Sequence, residues 1–218
     1  MFADTGAEVP ETYEYLDIAQ RSGFWGGAAS RYAVSVVQPP QTYTRTCLKR
    51  RVIPSAIWRW STRDFKIGPI HRYYRSLKVP VFQYIAIAYD EIERMKDSRV
   101  EYVTNLYPLV EQRITREGCL EIIARAELPE PVKSGCFFCP FNSYDRWKWL
   151  HWTHPDLFEK AVMLEENSKH FPVQRLTDQV FRKRDHVTLR ELRERIESGV
   201  IAEPIETELS ACGGECMT

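Results

Sequence analysis

The first residues of the chain constrain its fold most, because they read as a strand that passes through a turn directly into a helix. Residues 2–3 have the character of a strand end, Asp4-Thr5-Gly6 is a turn sequence, and residues 10–19 have helical spacing. In open α/β sheets, ligands bind at the loops that follow the carboxyl ends of strands. The opening therefore predicts a ligand loop, and a sheet whose preceding βα unit is missing or comes from elsewhere.

Beyond this opening, strands alternate with helices up to residue 132, and only helices follow. This order predicts an α/β fold, a parallel sheet flanked by helices with a helical carboxy-terminal cap. The expected domains are an α/β part over 1–132 and a cysteine-containing helical cap and tail over 133–218. The predicted strands are 32–37, 79–88 (buried on both faces) and 103–110. The predicted helices are 62–77 (with a break or a fresh helix start at Pro69), 90–95, 115–126, 144–152, 155–169 and 188–198. Residues 41–60 are expected to form an irregular surface insertion.

The overall composition favours a cytoplasmic protein that binds no membrane. The 30 basic residues balance the 30 acidic ones, so no net charge draws the chain to nucleic acid. The local basic stretches Lys49-Arg50-Arg51 and Arg182-Lys183-Arg184 leave that partner open, with a solvated surface as the favoured interpretation of each. No apolar run approaches the ~20 residues that span a bilayer, and no signal peptide is visible. Six cysteines in such a chain indicate metal, cluster or redox use.

The strongest local motif is the C-x2-C pair Cys136 and Cys139, in which two thiolates on a turn can hold one metal ion or one edge of a cluster. The pair forms half a site and does not separate iron-sulfur from zinc, and two buried unliganded cysteines are the alternative. Cys212 and Cys216 in the glycine-containing tail can supply the other half. Cys216 is alternatively a redox nucleophile, and both tail thiols are alternatively incidental.

Two groups of cations are candidate anion sites. Arg63 and Lys66 lie at a predicted helix start, where phosphate or sulfate is favoured, although an ordinary capped helix explains the same residues. Lys96 and Arg99 follow the strand predicted over 79–88, where they suit a phosphate-bearing ligand or form a surface salt-bridge cluster. The glycine-rich residues 26–30 are read as a flexible loop, because no hydrophobic strand precedes them.

Taken in order, these segments resemble the phosphoadenosine phosphosulfate (PAPS) reductase-like family of the adenine nucleotide alpha-hydrolase superfamily, and its short phage- and mobile-element-type members most of all. The resemblance covers nearly the whole chain, and the ordered combination is more specific than any single motif. Four stretches carry it, with the tail around Cys216 fitting the same pattern: 2–6, 62–70, 90–109 and 133–141.

The resemblance implies a Rossmann-like parallel sheet that binds an adenine nucleotide, ATP or PAPS, and a 4Fe-4S cluster, with zinc as the alternative. By this resemblance the nucleotide lies near Asp4, Thr5 and Gly6, and phosphate or sulfate is faced by Arg63, Lys66, Lys96 and Arg99. The implied metal ligands are Cys136, Cys139, Cys212 and Cys216, with Cys47 and Cys119 as substitutes in the set.

The chain departs from the family pattern in two places. Relatives have a strand and an SGG-x-[DA]-S phosphate loop before the stretch that matches 2–6, and they have cysteine where this chain has Trp60-Ser61. The first hypothesis is an enzyme of sulfur-transfer, reductase or ATP-pyrophosphatase type, with Arg63, Lys66 and Cys216 as catalytic residues. The second is a non-catalytic nucleotide- or metal-binding module, or a subunit of a split enzyme whose protein partner, or a second copy, supplies the phosphate loop.

Overall fold

A computed structural model describes residues 1–21, 34–55, 60–132, 134–169, 181 and 187–200 of the chain. These residues form a mixed α/β structure that contains small parallel sheets. Two elements depart from α and β geometry, a π-helical turn (the π turn) over Thr62–Ile67 and a 3-10 helix over Tyr89–Arg94. The others are β1 Phe2–Ala3, α1 Pro10–Arg21, β2 Val36–Val37, α2 Tyr43–Arg50, α3 Gly68–Leu77, β3 Val81–Tyr84, β4 Val103–Leu106, α4 Pro108–Glu111, α5 Arg116–Arg125, α6 Tyr144–Thr153, α7 Pro155–Ser168 and α8 Leu189–Glu197.

The predicted strand-turn-helix opening is confirmed. β1 pairs in parallel with β2, with Phe2 opposite Val36 and Ala3 opposite Val37. The pairing carries both strands to the same sheet edge, where the Asp4 amide donates to the Val37 carbonyl at 3.0 Å. Part of the strand predicted over 32–37 is thus present as β2, whereas residues 31–33 lie outside the described residues. The carboxyl ends of two parallel strands therefore meet beside the predicted ligand loop.

A second parallel pair is formed by β3 and β4, in a register that runs from Val81 opposite Val103 to Tyr84 opposite Leu106. The described strands thus form two separate two-stranded sheets. Parallel pairing within a mixed α/β chain is what the sequence order predicts. A single Rossmann-like sheet stays a prediction.

The expectation that residues 79–88 form a strand buried on both faces is wrong. β3 is only four residues long, and its side chains alternate between half-buried and exposed. Phe82 is 66% exposed and Tyr84 is 71% exposed. A run that is apolar at nearly every position carries no alternation that marks a solvent face, so the sequence pattern could not reveal the exposed side of β3.

The expectation of an irregular insertion over 41–60 is also wrong, because α2 occupies its first half. Thr42 caps this helix by accepting a hydrogen bond from the Arg45 amide at 3.3 Å. Tyr43, Thr46 and Cys47 are buried at the three- and four-residue spacing of one helix face. The second half of the range includes residues 56–59, which are outside the described part.

The helix predicted over 62–77 is present, and of the two alternatives at Pro69 the structure has a fresh helix start, α3, without a break in the helical path. Gly68 has helical angles (φ −59°, ψ −49°), and its amide donates to the Arg63 carbonyl, five residues earlier, in the π turn. Proline lacks an amide hydrogen and crowds the carbonyl of the preceding α-turn. The wider π turn is where the chain accommodates Pro69, so the helical path continues into α3.

The remaining predicted helices agree with the structure apart from small differences at their ends. Thr115 caps α5 as expected, accepting from the Gly118 amide at 3.2 Å. The helix predicted over 90–95 is the 3-10 helix, and the extended segment predicted over 103–110 ends at Leu106, because Pro108 begins α4. The helices of the predicted cap are α6, α7 and α8.

One buried cluster joins the amino-terminal loop to the carboxy-terminal helices. It contains Val9, Phe65, Phe138, Trp147 and other side chains from residues on both sides of position 132. Trp147 is fully buried and contacts the Phe158 ring edge-to-face at a centroid distance of 6.2 Å. The division into domains at residue 132 stays a prediction. Within the described ranges no helix has the length and apolar character needed to cross a membrane.

Candidate functional site

The loop after β1 is held by its own aspartate. Asp4 Oδ1 accepts hydrogen bonds from the Gly6 amide and the Tyr13 hydroxyl, each at 2.8 Å, and Oδ2 accepts from Gln38 Nε2 at 2.9 Å. Burial acts to raise the pKa of Asp4, but these three donors outweigh it and the pKa lies below its ordinary value. Gly6 takes a left-handed conformation (φ 69°) that glycine adopts without strain. The ionised carboxylate therefore fixes the turn that presents Thr5.

Thr5 lines a small pocket whose other lining residues come from two distant parts of the sequence. Its volume is about 40 Å³, room for about three water-sized spheres. The lining residues are Thr5, Tyr43, Ser55, Ser61, Thr62, Phe65, Lys66, Cys136, Cys139, Pro140 and Phe141. We call this space the cysteine pocket.

Backbone pairing sets the position of the C-x2-C pair in the cysteine pocket. Cys136 forms an antiparallel bridge with Glu8, and the Phe137 amide donates to the Ala7 carbonyl at 2.9 Å. The chain then turns, with the Cys139 amide donating to the Cys136 carbonyl at 3.0 Å. Both cysteines are buried. The predicted turn geometry of the C-x2-C motif is present, and it lies against the loop after β1.

Glu8 is a site residue that the sequence reading missed. Its Oε1 accepts a hydrogen bond from Thr5 Oγ1 at 3.0 Å and a longer one from Cys136 Sγ at 3.7 Å, and Thr5 Oγ1 lies 3.4 Å from the same sulfur. Burial raises the pKa of Glu8, and the positive charge of Lys66 opposes that shift only in part. The sequence signal that could have revealed Glu8 is a carboxylate between the apolar residues 7 and 9. Glu8 thus places a proton acceptor beside a candidate metal-binding thiol.

The thiols of Cys136 and Cys139 fit a zinc or iron-sulfur centre as two of its ligands, because both are buried in one pocket and thiolates suit either group. Among the described residues, no three histidine, cysteine, aspartate or glutamate side chains converge as a metal site. The other two predicted ligands, Cys212 and Cys216, lie outside the described residues.

The substitute ligands do not line the cysteine pocket. Cys47 is buried on α2, and burial raises the pKa of its thiol to about 12. Cys119 is half-buried on α5, where its electrostatic partners are Asp90 and Arg116. Neither Cys47 nor Cys119 is a lining residue of the cysteine pocket. Ser61 does line it, and its hydroxyl is hydrogen-bonded to the buried Tyr43, whose pKa is well above the ordinary value chiefly because of burial.

Arg63 and Lys66, predicted to act together, serve two different spaces. Lys66 lines the cysteine pocket, whereas Arg63 lines a separate cleft of about 560 Å³. Arg63 Nε donates to Asp64 Oδ1 at 2.8 Å, and Arg50 Nη1 donates to Asp64 Oδ2 at 3.4 Å. The residues lining this space, which we call the cationic cleft, are Pro39, Pro40, Gln41, Thr46, Lys49, Arg50, Arg63, Asp64, Phe65, Gly68 and Arg72. From the sequence, Lys49 and Arg50 were named only as part of a local basic stretch that is typical of a solvated surface, and Arg72 was not named as a site residue.

Lys96 and Arg99 are exposed on the segment between the 3-10 helix and β4. The main chain at Lys96 is fixed by Tyr107, whose hydroxyl accepts from the Lys96 amide at 3.0 Å and donates to the Lys96 carbonyl at 2.6 Å. Neither cation lines the cysteine pocket or the cationic cleft. The structure therefore assembles Thr5, Lys66 and the C-x2-C pair at one site.

The pocket and the cleft lie on either side of Phe65, which lines both. Together they present two thiols and a group of cations, and the buried carboxylate of Glu8 is hydrogen-bonded to one of the thiols. Thiols and cations are the residue types of metal and anion binding. Comparison of the chain with protein-family models, with curated proteins and with solved structures gives no match.

Proposed function

We propose that this chain is a PAPS reductase-like protein of the adenine nucleotide alpha-hydrolase type, which binds an adenine nucleotide or sulfonucleotide beside a cysteine-held metal centre. The observation that carries the proposal is the convergence in the cysteine pocket. Thr5, Lys66 and Cys136 come from three of the four stretches on which the resemblance rests, and they line one cavity. A resemblance assembled from unrelated motifs gives no reason for these stretches to meet.

Ser61 adds to this support. It stands where the resembled family has cysteine, and it lines the same pocket as Cys136 and Cys139. A third thiolate at that position would approach the centre from the π-turn side of the pocket. The serine keeps the position polar, and its hydroxyl is hydrogen-bonded to Tyr43.

The residues of the cysteine pocket have distinct roles in this proposal. Cys136 and Cys139 would hold the metal, and Glu8 would accept the proton that Cys136 must release on binding it. An iron-sulfur cluster supplies electron transfer or electrostatic polarisation when bound, and zinc supplies polarisation alone. Lys66 lies beside the centre and counters negative charge on a phosphate or sulfate group, and Arg63 does the same from the cationic cleft.

The chemistry proposed at this site is transfer of an activated sulfur group, or release of pyrophosphate from ATP. Both reactions develop negative charge on phosphate or sulfate oxygens, and fixed cations stabilise that charge. Lys96 and Arg99 are assigned to a more distant part of the ligand or of a partner. Cys216, the proposed nucleophile, lies in the part of the chain that the structure does not describe.

Anaerobic purification followed by iron, zinc and sulfide analysis tests the metal centre. We expect near-stoichiometric metal in the wild type, its loss in Cys136→Ser and Cys139→Ser, and its retention in Cys119→Ser, which alters a cysteine on α5. Ser61→Cys should hold metal more tightly against a chelator, since it adds a third thiol to the pocket. A metal-free wild type, or equal loss in all three serine variants, would contradict the proposal.

Calorimetry with ATP, adenylyl sulfate and PAPS tests nucleotide binding. We expect at least one of the three to bind, and Lys66→Met to weaken that ligand by about tenfold or more, because a charge-assisted contact is lost. Binding without turnover of any of the three would leave the module or split-enzyme form of the proposal. Absence of binding by all three would refute the nucleotide assignment.

A further inference from the structure

The cationic cleft is built by two stretches of the sequence, 39–50 and 63–72. Lys49 and Arg50 lie three and four residues after Thr46, the spacing of one face of α2. Arg63 and Arg72 come from the π turn and from α3, and the prolines after β2 form the remaining wall. A cluster with this origin is a concave feature of the fold and not a single run of basic residues.

The charge of the cleft is strongly unbalanced. Four cations line it, and Asp64 is the single carboxylate among the described lining residues. Asp64 binds Arg50 and Arg63, and the pair of guanidinium groups lowers the pKa of Asp64, with the hydrogen bond from Arg63 as the largest cause. Lys49 and Arg72 form no ion pair with any carboxylate in the described part of the chain.

Two of the cations have contacts within the protein before any ligand arrives. The Arg50 guanidinium lies over the Trp60 ring at 5.4 Å from its centroid while it also contacts Asp64. Arg63 is held by Asp64 at 2.8 Å. A guanidinium that is already oriented loses less conformational freedom when it binds an anion. Lys49 and Arg72 add positive charge that no described carboxylate neutralises.

We propose that the cationic cleft binds a ligand with two adjacent tetrahedral anionic groups, a diphosphate or a phosphosulfate. Arginine forks match the oxygens of phosphate and sulfate, and a volume of about 560 Å³ is that of a small-molecule site. Lys49 and Arg72 contact one anionic group, and Arg50 and Arg63 contact the other. A cleft of this size, with four cations, favours a small ligand over a nucleic acid, which would need a longer track of cations.

This inference deepens the proposed function and rests on it for the identity of the natural ligand. It assigns the anionic part of that ligand to Lys49, Arg50 and Arg72 together with Arg63. The assignment itself requires neither the metal nor the cysteines. Inorganic pyrophosphate therefore reports on the cleft, whereas the adenosine nucleotides report on the proposed function as well.

Calorimetry on the full chain tests the inference with inorganic pyrophosphate and ADP as separate ligands. The cleft variant is Lys49→Gln with Arg72→Gln, because neither residue has a described ion pair that the fold would lose. The matched control is Arg45→Gln with Arg75→Gln, which removes the same charge from exposed positions of α2 and α3 outside the cleft. Thermal unfolding shows whether both double variants remain folded. A labelled single-stranded oligonucleotide serves as a third ligand.

We expect pyrophosphate and ADP to bind the wild type, to bind the cleft variant at least tenfold more weakly, and to bind the control within about twofold. Absence of pyrophosphate binding, or equal weakening in the control, overturns the inference. The inference is also overturned if the oligonucleotide binds the wild type, loses that binding in the cleft variant, and is not displaced by pyrophosphate. If pyrophosphate binds and no adenosine nucleotide binds, the anion site in the cleft is supported and the proposed nucleotide function is refuted. If a nucleotide binds equally well to the wild type and the cleft variant, the nucleotide function is supported and the anion site in the cleft is refuted.

Discussion

Glu8 gives the sharpest test of the cysteine pocket, because its carboxylate is buried and its pKa is raised. Only 8% of Glu8 is exposed, and both hydrogen bonds that it accepts from Thr5 and Cys136 reach the same oxygen, Oε1. Glu8→Gln keeps an acceptor oxygen and the shape of the side chain. What the substitution removes is the ability to become a buried anion. It therefore isolates the free-energy cost of ionising this residue.

The direction of the effect follows from proton linkage. Burial raises the folded-state pKa of Glu8 above the ordinary value of 4.5, so within the window above that value the folded chain binds more protons than the unfolded chain. The wild type therefore loses stability as the pH rises through that window. Glu8→Gln has no such proton to lose. Relative to the wild type, the variant gains about 1.4 kcal/mol for each pKa unit by which folding raises Glu8.

Urea unfolding of the metal-free, reduced protein between about pH 4 and about pH 8 measures this difference. Near pH 4 the two proteins should agree within about 1 kcal/mol, since the neutral acid and the amide accept the same hydrogen bonds. Near pH 8 the variant should be the more stable. Glu14→Gln, at an exposed position of α1, controls for the loss of one negative charge. A difference that stays level across this range would refute the reasoning.

Three further predictions concern a buried thiol, a buried carboxylate and a helix cap outside the two cavities. Alkylation of Cys47 by iodoacetamide should be very slow in the folded chain and fast in urea, since burial raises its pKa to about 12 and leaves roughly a thousandfold less thiolate. Glu165→Ala should lower the free energy of unfolding by about 2–6 kcal/mol, because the buried amides of Phe181 and Leu189 lose their acceptors, now at 2.9 and 2.7 Å. Thr188→Ala, measured in the same way, removes the capping box of α8 and should cost about 0.5–2 kcal/mol.

Each of these has a result that would contradict it. Folded-state labelling of Cys47 at the rate seen in urea would mean that its thiol is accessible. For Glu165, a cost no larger than that of Glu166→Ala, its more exposed neighbour, would mean that water replaces the lost acceptor. Thr188→Ser should keep most of the capping energy, so equal losses in the serine and alanine variants would point to the threonine methyl group.

Local patterns predicted those elements whose signals lie within a few residues. The strand-turn-helix opening and α5 follow from turn and cap residues such as Thr115. α2 was missed although Thr42 and the spacing of Tyr43, Thr46 and Cys47 indicate a capped amphipathic helix. The composition of its neighbourhood, rich in arginine, threonine and tryptophan, hid that spacing.

The candidate site was predicted only in part, because its geometry depends on contacts between distant residues. The C-x2-C pair is visible as a motif, but its contact with Thr5 spans 131 positions of sequence. Arg63 and Lys66 are three residues apart, a spacing that places both on one face of an α-helix. Their separation into two cavities depends on the π turn, which no pattern of residues in the sequence predicted. Arg50 was visible only as part of a basic stretch, because the helix that places it in the cleft was missed.

The π turn has a geometrical consequence for both cavities. An α-helix advances by about 100° per residue, so a turn that contains one extra residue reorients every later side chain by roughly that angle. Phe65 thus forms a partition between the two cavities, with Lys66 on one side and Arg63 on the other. The same turn sets the direction in which Arg72 leaves α3. The winding of these six residues therefore affects the side chains of the cysteine pocket and of the cationic cleft together.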